Sequence, residues 1–375
     1  MNFIVGWFGK RNREERRIYL DQLRSFTVLL VLVYHAFYLF NGVGVLGGIP
    51  NAESVPLFDG FCTLIYPWFM VLLFCVAGIS ARLSLQKRGV RDFLRERTRK
   101  LLLPSTAGLF LVHFVTGYLN IRMGGGLDYM PAFLVYPISV VSGIGPLWFI
   151  QTLFLFSFPI AVLAVLDRES RFYGLFRNFP VAAVMLLALG IWGGAQILNL
   201  PILTMYRFGI YFVAFLIGYL ILSHEEVMEK LCRWRWLTLT VSVALAVLYM
   251  FLFYGENYSS DEVLKSPVTN LYLWFTVLAL LGIFKGMPQR ESPVGNYILR
   301  NSYGYYILHY PVLLSVCYVL HFHTSLGTVP KILLGLLLEL ILTFLLNELI
   351  RRIPIVRLLV LGIKTENKER SMART

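Results

Sequence analysis

The sequence has little charge for its length. Charged residues make up 15% of the 375 residues and hydrophobic residues 57%, and the mean hydropathy is +0.68. Because a soluble domain typically carries about 25% charged residues, a soluble protein is excluded, and the same hydrophobicity excludes intrinsic disorder. The net charge is +13, but the basic residues are spread over many short segments rather than clustered. We therefore do not expect nucleic-acid binding.

Cysteine and catalytic motifs are scarce as well. Four cysteines (Cys62, Cys75, Cys232 and Cys317) lie in or beside apolar runs, and no spacing among them indicates zinc or a disulfide framework. The sequence has no Walker loop, no G-x-S-x-G and no H-E-x-x-H motif, so common nucleotide-binding, serine-hydrolase and zinc-protease functions have no support. We expect no metal site and no permanently bound cofactor.

Long apolar runs are abundant, and they predict an all-α polytopic membrane protein. Ten candidate spans can be assigned, at 24–42, 61–82, 101–119, 147–166, 180–198, 205–222, 237–254, 268–286, 302–321 and 331–350. If the N-terminus is cytoplasmic, all but four of the 34 Lys and Arg residues fall on the cytoplasmic side, the four being Arg122, Arg207, Lys265 and Lys331. This asymmetry is what the positive-inside rule expects. We therefore predict about ten transmembrane helices with both termini cytoplasmic.

The same pattern divides the chain into three parts. Residues 1–23 form a cytoplasmic basic N-terminal segment, 24–350 the transmembrane domain, and 351–375 a cytoplasmic basic tail. The basic residues are expected to contact anionic membrane lipid at the inner rim.

The first predicted span carries two ionisable residues, which are costly inside a bilayer and are therefore functional candidates. His35 follows Arg24 by eleven residues, which puts both side chains on one helix face about 16 Å apart. Taken singly, Arg24 is explained as an anchor at the inner interface and His35 as an inter-helix hydrogen-bond partner. The joint spacing favours a site in which the arginine holds a phosphate-bearing carrier and its extended arm reaches the histidine.

Other predicted spans contain further polar groups. His309, with Tyr306 one turn away, is either a site residue or a packing hydrogen-bond partner. Glu339 is a candidate for the site or for the layer of residues behind it, because an unpaired carboxylate at this depth is costly. His113 has no informative neighbours, and we favour a structural role for it.

Two more features lie at span ends. Arg97 and Lys100 immediately precede the third span and fit either a lipid-headgroup anchor or a clamp for a phosphorylated carrier. Trp148 begins the fourth span and is by itself typical of an interfacial aromatic residue.

Four sequence blocks, in order, resemble the integral-membrane acyltransferase 3 family. They are Asp21-Gln22-Leu23-Arg24 followed by His35, Arg97-x-x-Lys100-Leu-x-x-Pro104, Leu147-Trp148-Phe149, and Ser302-Tyr303 through Tyr306-Ile307-Leu308-His309-Tyr310-Pro311. Lys100 departs from the family pattern, because many members have a second arginine there, and lysine weakens a bidentate phosphate contact. No fused extracytoplasmic hydrolase-like domain is expected. The segment Ile353-Pro354-Ile355-Val356-Arg357 faintly resembles the branch that succinylates periplasmic glucans.

The resemblance implies O-acyl transfer in the bacterial inner membrane. Acyl-CoA would be the cytoplasmic co-substrate, and an acetyl, succinyl or similar group would pass to a hydroxyl of an extracytoplasmic carbohydrate or glycan. A positioned imidazole is the usual general base for such a nucleophile. The expected residues are His35 and His309 for catalysis, Arg24, Arg97 and Lys100 for acyl-CoA, and Trp148, Tyr306 and Glu339 for the substrate.

Several points stay open at the level of sequence. Transfer is either direct or passes through an acyl-histidine, and either His35 or His309 is the base if both line the site. The acyl group, the acceptor and the oligomeric state are not specified. A proton-coupled transporter or a lipid or glycan flippase is the alternative function, since intramembrane His and Glu also relay protons. The inverted repeats and paired broken helices that would favour transport are not visible.

Overall fold

The computed structural model describes residues 17–200, 205–288 and 293–364. Within these ranges the chain is helical and has no strand, only an isolated β-bridge between Asn199 and Arg207. The predicted all-α class is confirmed. The helices are α1 Ile18–Tyr38, α2 Pro56–Lys87, α3 Val90–Met123, α4 Ala132–Ser142, α5 Leu147–Leu166, α6 Arg171–Gly174, α7 Val181–Leu186, α8 Ala188–Gln196, α9 Phe208–Leu220, α10 Glu225–Arg233, α11 Arg235–Phe253, α12 Asp261–Lys265, α13 Pro267–Gly286, α14 Pro293–His323, α15 Thr328–Arg352 and α16 Pro354–Leu361.

The described residues form a multi-pass membrane protein. Seven of their helices (α2, α3, α5, α11, α13, α14 and α15) are long and apolar enough to cross a membrane. An eighth span results if α9 and α10, which meet at 105°, are counted as one. The predicted number of about ten and the predicted cytoplasmic termini stay predictions.

Three predicted spans have a different form from the rest. The span at 24–42 corresponds to α1, whose apolar run is interrupted by Asp21, Arg24 and His35. The span at 180–198 is divided into the short helices α7 and α8. The span at 205–222 is α9, which is followed by the sharply bent α10. Parts of the two predicted terminal segments, 1–16 and 365–375, lie outside the described residues. So do eight of the basic residues on which the predicted orientation depends: Lys10, Arg11, Arg13, Arg16, Arg290, Lys368, Arg370 and Arg374.

Helix α2 is central to the bundle. Most of its apolar window is buried, whereas α11 and α15 are mostly exposed and present large apolar side chains to the lipid. Helix α2 packs against α9, and the two backbones lie close together. A Cβ on Gly78 would collide with the carbonyl oxygen of Phe215, and a Cβ on Gly218 with that of Cys75. Small residues at a crossing are a common means of packing membrane helices.

Helix α4 carries the chain back into the bundle. A Cβ on Gly143 would collide with the carbonyl oxygen of His113, and a Cβ on Gly117 with that of Ser139. The end of α4 therefore lies against the middle of α3, and α5 begins inside the protein with Leu147 fully buried. Irregular backbone at this depth is tolerated where it is enclosed by protein or lines a cavity.

Helix α3 contains two π-helical turns, at Thr98–Leu102 and Leu109–His113. Such turns hold one extra residue, are rare, and occur frequently at functional sites. The first turn contains Lys100 and the second ends at His113, so each one carries a polar side chain.

Candidate active site

Two cavities meet inside the bundle. The inner cavity, named after the predicted orientation, has a volume of about 260 Å³ and is lined by Arg24, Arg97 and Lys100 together with apolar side chains. The outer cavity has a volume of about 110 Å³ and is lined by His35, Trp148 and several tyrosines. The two linings differ in chemistry: the inner one is cationic and apolar, the outer one aromatic.

Helix α1 contributes one continuous face to both cavities. Arg24 and Val28 line the inner cavity, and Val31 and His35 line the outer one. These residues lie four, three and four positions apart, which is the spacing of one face of an α-helix. Arg24 and His35 therefore face the protein interior from the same side of α1, as their spacing predicts.

Tyr306 of α14 stands between the two cavities and lines both of them. Its hydroxyl donates a hydrogen bond to the carbonyl of Pro146, in the loop that leads into α5. Its ring packs edge-on against Phe149 with 5.8 Å between ring centroids. The route from Arg24 to His35 is thus two cavities interrupted by a tyrosine, rather than one open passage.

His35 and His309 form a pair at the outer cavity. Nε2 of His309 lies 3.2 Å from Nδ1 of His35. Nδ1 of His309 lies 2.7 Å from the carbonyl oxygen of Tyr306, and Nδ1 of His35 lies 2.8 Å from that of Val31. Because a carbonyl oxygen only accepts, both Nδ1 atoms carry the proton in the neutral pair. The His35 Nδ1–H is then shared between two acceptors, the nearer Val31 carbonyl and His309 Nε2, and His35 Nε2 keeps its lone pair.

Nε2 of His35 has no hydrogen-bond partner within the described part of the chain, and the residue lines the outer cavity. The neighbouring rings are Tyr310 at 5.0 Å, Tyr34 at 5.3 Å and Tyr38 at 6.1 Å between centroids. Among the residues that the structure describes, those that line the outer cavity include no Asp, Glu, Lys or Arg. The arrangement provides one basic nitrogen that faces an aromatic, uncharged cavity.

Among the described residues, Asp21 and Ser80 hold Arg24 at the inner cavity. Its Nη1 lies 3.4 Å from Oδ1 of Asp21 one turn earlier, and its Nη2 donates to the hydroxyl of Ser80 on α2. Its side chain is 30% exposed, so the guanidinium is partly available to a ligand.

The other two cations come from the start of α3. Lys100 forms an ion pair with Glu96, and its carbonyl accepts a hydrogen bond from Tyr303 of α14. The guanidinium carbon of Arg97 lies 4.8 Å from the centroid of the Phe93 ring. No carboxylate is among the described residues that line the inner cavity, so the cavity is suited to an anionic ligand.

The structure brings most of the predicted site residues together, but not all of them. Trp148 is buried and lines the outer cavity, because α5 begins inside the bundle. Glu339 lines neither cavity. It is fully buried on α15, and within the described residues neither of its carboxylate oxygens has a hydrogen-bond partner.

Sequence reasoning missed most of the outer cavity wall. Tyr34, Tyr38 and Tyr310 could have been found, since they lie on the same helices as the two histidines and close to them in sequence. Tyr66 and Tyr211 come from α2 and α9, and no local pattern marks them.

Comparison with known proteins identifies the family. The acyltransferase 3 family model, described as an acyltransferase domain, matches residues 17–348. No curated protein and no solved structure matches the chain. The matched region contains α1 to α14 with both cavities and the histidine pair. The chain therefore belongs to the integral-membrane acyltransferase 3 family and is a membrane acyltransferase.

Proposed function

We propose that this protein is an O-acyltransferase of the bacterial plasma membrane. It takes an acyl group from cytoplasmic acyl-CoA and transfers it to a hydroxyl of an extracytoplasmic carbohydrate or glycan. The supporting observation is that Arg24 and His35 share one face of α1 and line two cavities of different chemistry that meet at Tyr306. Family membership supports acyl transfer in general; the donor, the acceptor and the roles of the residues are proposed from this geometry.

The inner cavity is the proposed donor site. Arg24, Arg97 and Lys100 hold the CoA phosphates, because charge-assisted hydrogen bonds are the strongest contacts available to such groups. The rest of the lining includes Val28, Leu73 and other apolar side chains, which suit the uncharged part of the CoA arm and a short acyl group.

The outer cavity is the proposed acceptor site. Tyr211 and Tyr310 line it, and neither hydroxyl bonds to a described residue. Hydroxyl groups and aromatic rings without charged side chains suit a neutral, hydroxyl-rich acceptor better than an anionic one. We therefore propose a neutral sugar as the acceptor.

The proposed reaction is a general-base-assisted acyl transfer. Nε2 of His35 takes the proton of the acceptor hydroxyl as its oxygen attacks the thioester carbonyl carbon. The C–O bond forms, the C–S bond breaks, and the CoA thiolate takes the proton from His35 Nε2. The products are the ester and free CoA thiol. The Val31 carbonyl and His309 Nε2 together accept the Nδ1–H of His35 and so hold the ring in the tautomer that leaves Nε2 basic.

The thioester has to pass Tyr306 to reach His35. The side chain stands between the cavities, and its hydroxyl is bound to Pro146. Release of this hydrogen bond and rotation of the tyrosine would open the route for the acyl group, while CoA stays on the inner side.

The experiment uses the purified protein in lipid vesicles with acetyl-CoA or succinyl-CoA and a neutral glucan oligosaccharide. We expect free thiol to appear in step with esterified oligosaccharide for at least one donor. Thiol release from neither donor would argue against acyl-CoA as the co-substrate. Movement of the oligosaccharide across the vesicle membrane without thioester consumption would instead indicate a transporter.

A further inference from the structure

Helix α14 contains a backbone carbonyl that cannot form its usual hydrogen bond. Pro311 lies inside the helix and has no N–H, so it cannot donate to the carbonyl of Ile307 four residues earlier. An unsatisfied buried carbonyl is costly, and in membrane helices other groups usually satisfy it. Here the donor is a side chain of α3, since Nε2 of His113 lies 2.7 Å from the carbonyl oxygen of Ile307.

His113 is fixed on its own side as well. It is fully buried, it ends the second π-helical turn of α3, and its carbonyl lies where Gly143 makes a close backbone approach. Because a carbonyl only accepts, Nε2 of His113 carries the proton. The imidazole is therefore a rigid donor that supplies the hydrogen bond missing from α14.

The carbonyl in question is next to the histidine pair. His309 lies between Ile307 and Pro311, and its Nδ1 is bound to the carbonyl of Tyr306. The direction of its Nε2, 3.2 Å from His35 Nδ1, thus depends on the backbone of one helical turn. That turn is the one weakened by the proline and joined to α3 by His113.

We propose that His113 is a positioning residue for the histidine pair. By donating to the carbonyl that Pro311 leaves free, it fixes the turn of α14 that aims His309 at His35. The catalytic part of this inference rests on the proposed function; the hydrogen-bond part does not.

The test is a double-mutant cycle with His113→Leu and Pro311→Ala, measured by thermal unfolding in detergent and by thiol release from acetyl-CoA with the glucan oligosaccharide. Leucine cannot donate a hydrogen bond. Alanine at 311 has an N–H that can bind the Ile307 carbonyl within the helix. We expect His113→Leu in the Pro311 background to lower the unfolding temperature and to lower kcat about 10- to 100-fold, the scale set by small misplacements of catalytic groups. In the Pro311→Ala background the same change should have little further effect on either quantity.

Two further variants separate positioning from packing. His113→Asn retains an N–H donor and should keep most of kcat and of the unfolding temperature. His323→Leu, at an exposed histidine at the end of α14, is the matched control and should change neither. KM for acetyl-CoA should stay within about twofold in the His113→Leu variant, since His113 does not line the inner cavity.

The outcomes are distinct. Equal costs of His113→Leu in both backgrounds, or a His113→Asn variant as impaired as His113→Leu, would overturn the inference. Coupling in stability without any loss of kcat would make His113 a helix brace only and would overturn its positioning role. If the wild type consumes no acyl-CoA, the proposed function fails, but the unfolding cycle still decides whether His113 replaces the missing hydrogen bond.

Discussion

Nε2 of His309 lies 3.2 Å from Nδ1 of His35, and this contact joins α14 to α1 at the outer cavity. A general-base histidine is often oriented by a carboxylate. Here two uncharged groups contact Nδ1 of His35: the Val31 carbonyl and the imidazole of His309, which is itself fixed by the carbonyl of Tyr306. The proposed base is therefore oriented by uncharged groups, consistent with a cavity whose described lining residues include no carboxylate.

Replacement of His309 should affect turnover more than donor binding. His309→Leu removes the imidazole that shares the His35 Nδ1–H with the Val31 carbonyl and packs against the His35 ring, so we expect kcat to fall about 10- to 100-fold. KM for acetyl-CoA should change by less than about twofold, because His309 does not line the inner cavity. Steady-state thiol release checks both constants, with His323→Leu as the control. A raised KM at unchanged kcat would contradict the assignment.

Replacement of Arg24 should affect donor binding more than turnover. Arg24→Ala removes one of the charge-assisted contacts proposed for the donor, worth about 1.5–3 kcal/mol, so KM for acetyl-CoA should rise about 10- to 100-fold. Arg24→Lys should lie in between, because lysine keeps the charge but loses the fork of donors. Arg122→Ala is the control, since Arg122 is an exposed cation at the other end of α3, bound to Tyr318. An Arg24 variant that alters only the dependence on oligosaccharide would show that the arginine belongs to the acceptor site.

Replacement of Tyr306 should increase hydrolysis of the thioester relative to transfer to the acceptor. Tyr306→Ala joins the two cavities and admits water to the thioester, so thiol release without oligosaccharide should rise relative to release with it. Tyr306→Phe keeps the ring against Phe149 but loses the hydroxyl that binds Pro146, so its ratio should lie between those of the wild type and Tyr306→Ala. The ratio of acceptor-independent to acceptor-dependent thiol release is the measurement. An unchanged ratio in Tyr306→Ala would mean that the tyrosine does not divide the route.

Glu339 should be dispensable for catalysis. It is a substrate-binding candidate by sequence, but it lies outside both cavities with its carboxyl unpartnered among the described residues. Glu339→Leu removes a costly buried polar group, so the unfolding temperature should stay the same or rise, and thiol release should stay within about twofold. A large loss of activity at normal folded yield would restore Glu339 to the site.

The sequence predicts which residues belong to the site better than it predicts how distant segments bring them together. The eleven-residue spacing of Arg24 and His35 places both on one face because α1 is a regular helix. The Leu147-Trp148-Phe149 block begins α5 as predicted, but the depth of Trp148 depends on α4 returning into the bundle. That return depends on close glycine packing between distant segments, at Gly117 and Gly143, and a single sequence does not reveal it.

His113 illustrates the same limit. Its sequence neighbours are apolar, and a structural role is the natural prediction for an isolated histidine. Its partner is the carbonyl of Ile307, which lies 194 positions further along the chain. The cause, Pro311, is visible in the sequence, but the pairing is not, because a backbone carbonyl leaves no side-chain signal. Likewise, Glu339 is an ionisable residue within a predicted span and is therefore a functional candidate by sequence. Only the packing of α15 in the structure shows that it lies outside both cavities.

The most direct test of the proposed mechanism is the His35→Ala variant in the purified, folded protein. Thiol release from acetyl-CoA is measured with and without the glucan oligosaccharide, and His323→Ala is the matched control. Loss of a general base typically costs about 10²- to 10⁴-fold, so acceptor-dependent release should fall by that factor while KM for acetyl-CoA changes little. His323→Ala should match the wild type. Acceptor-dependent thiol release that survives His35→Ala at the wild-type rate would contradict the central claim.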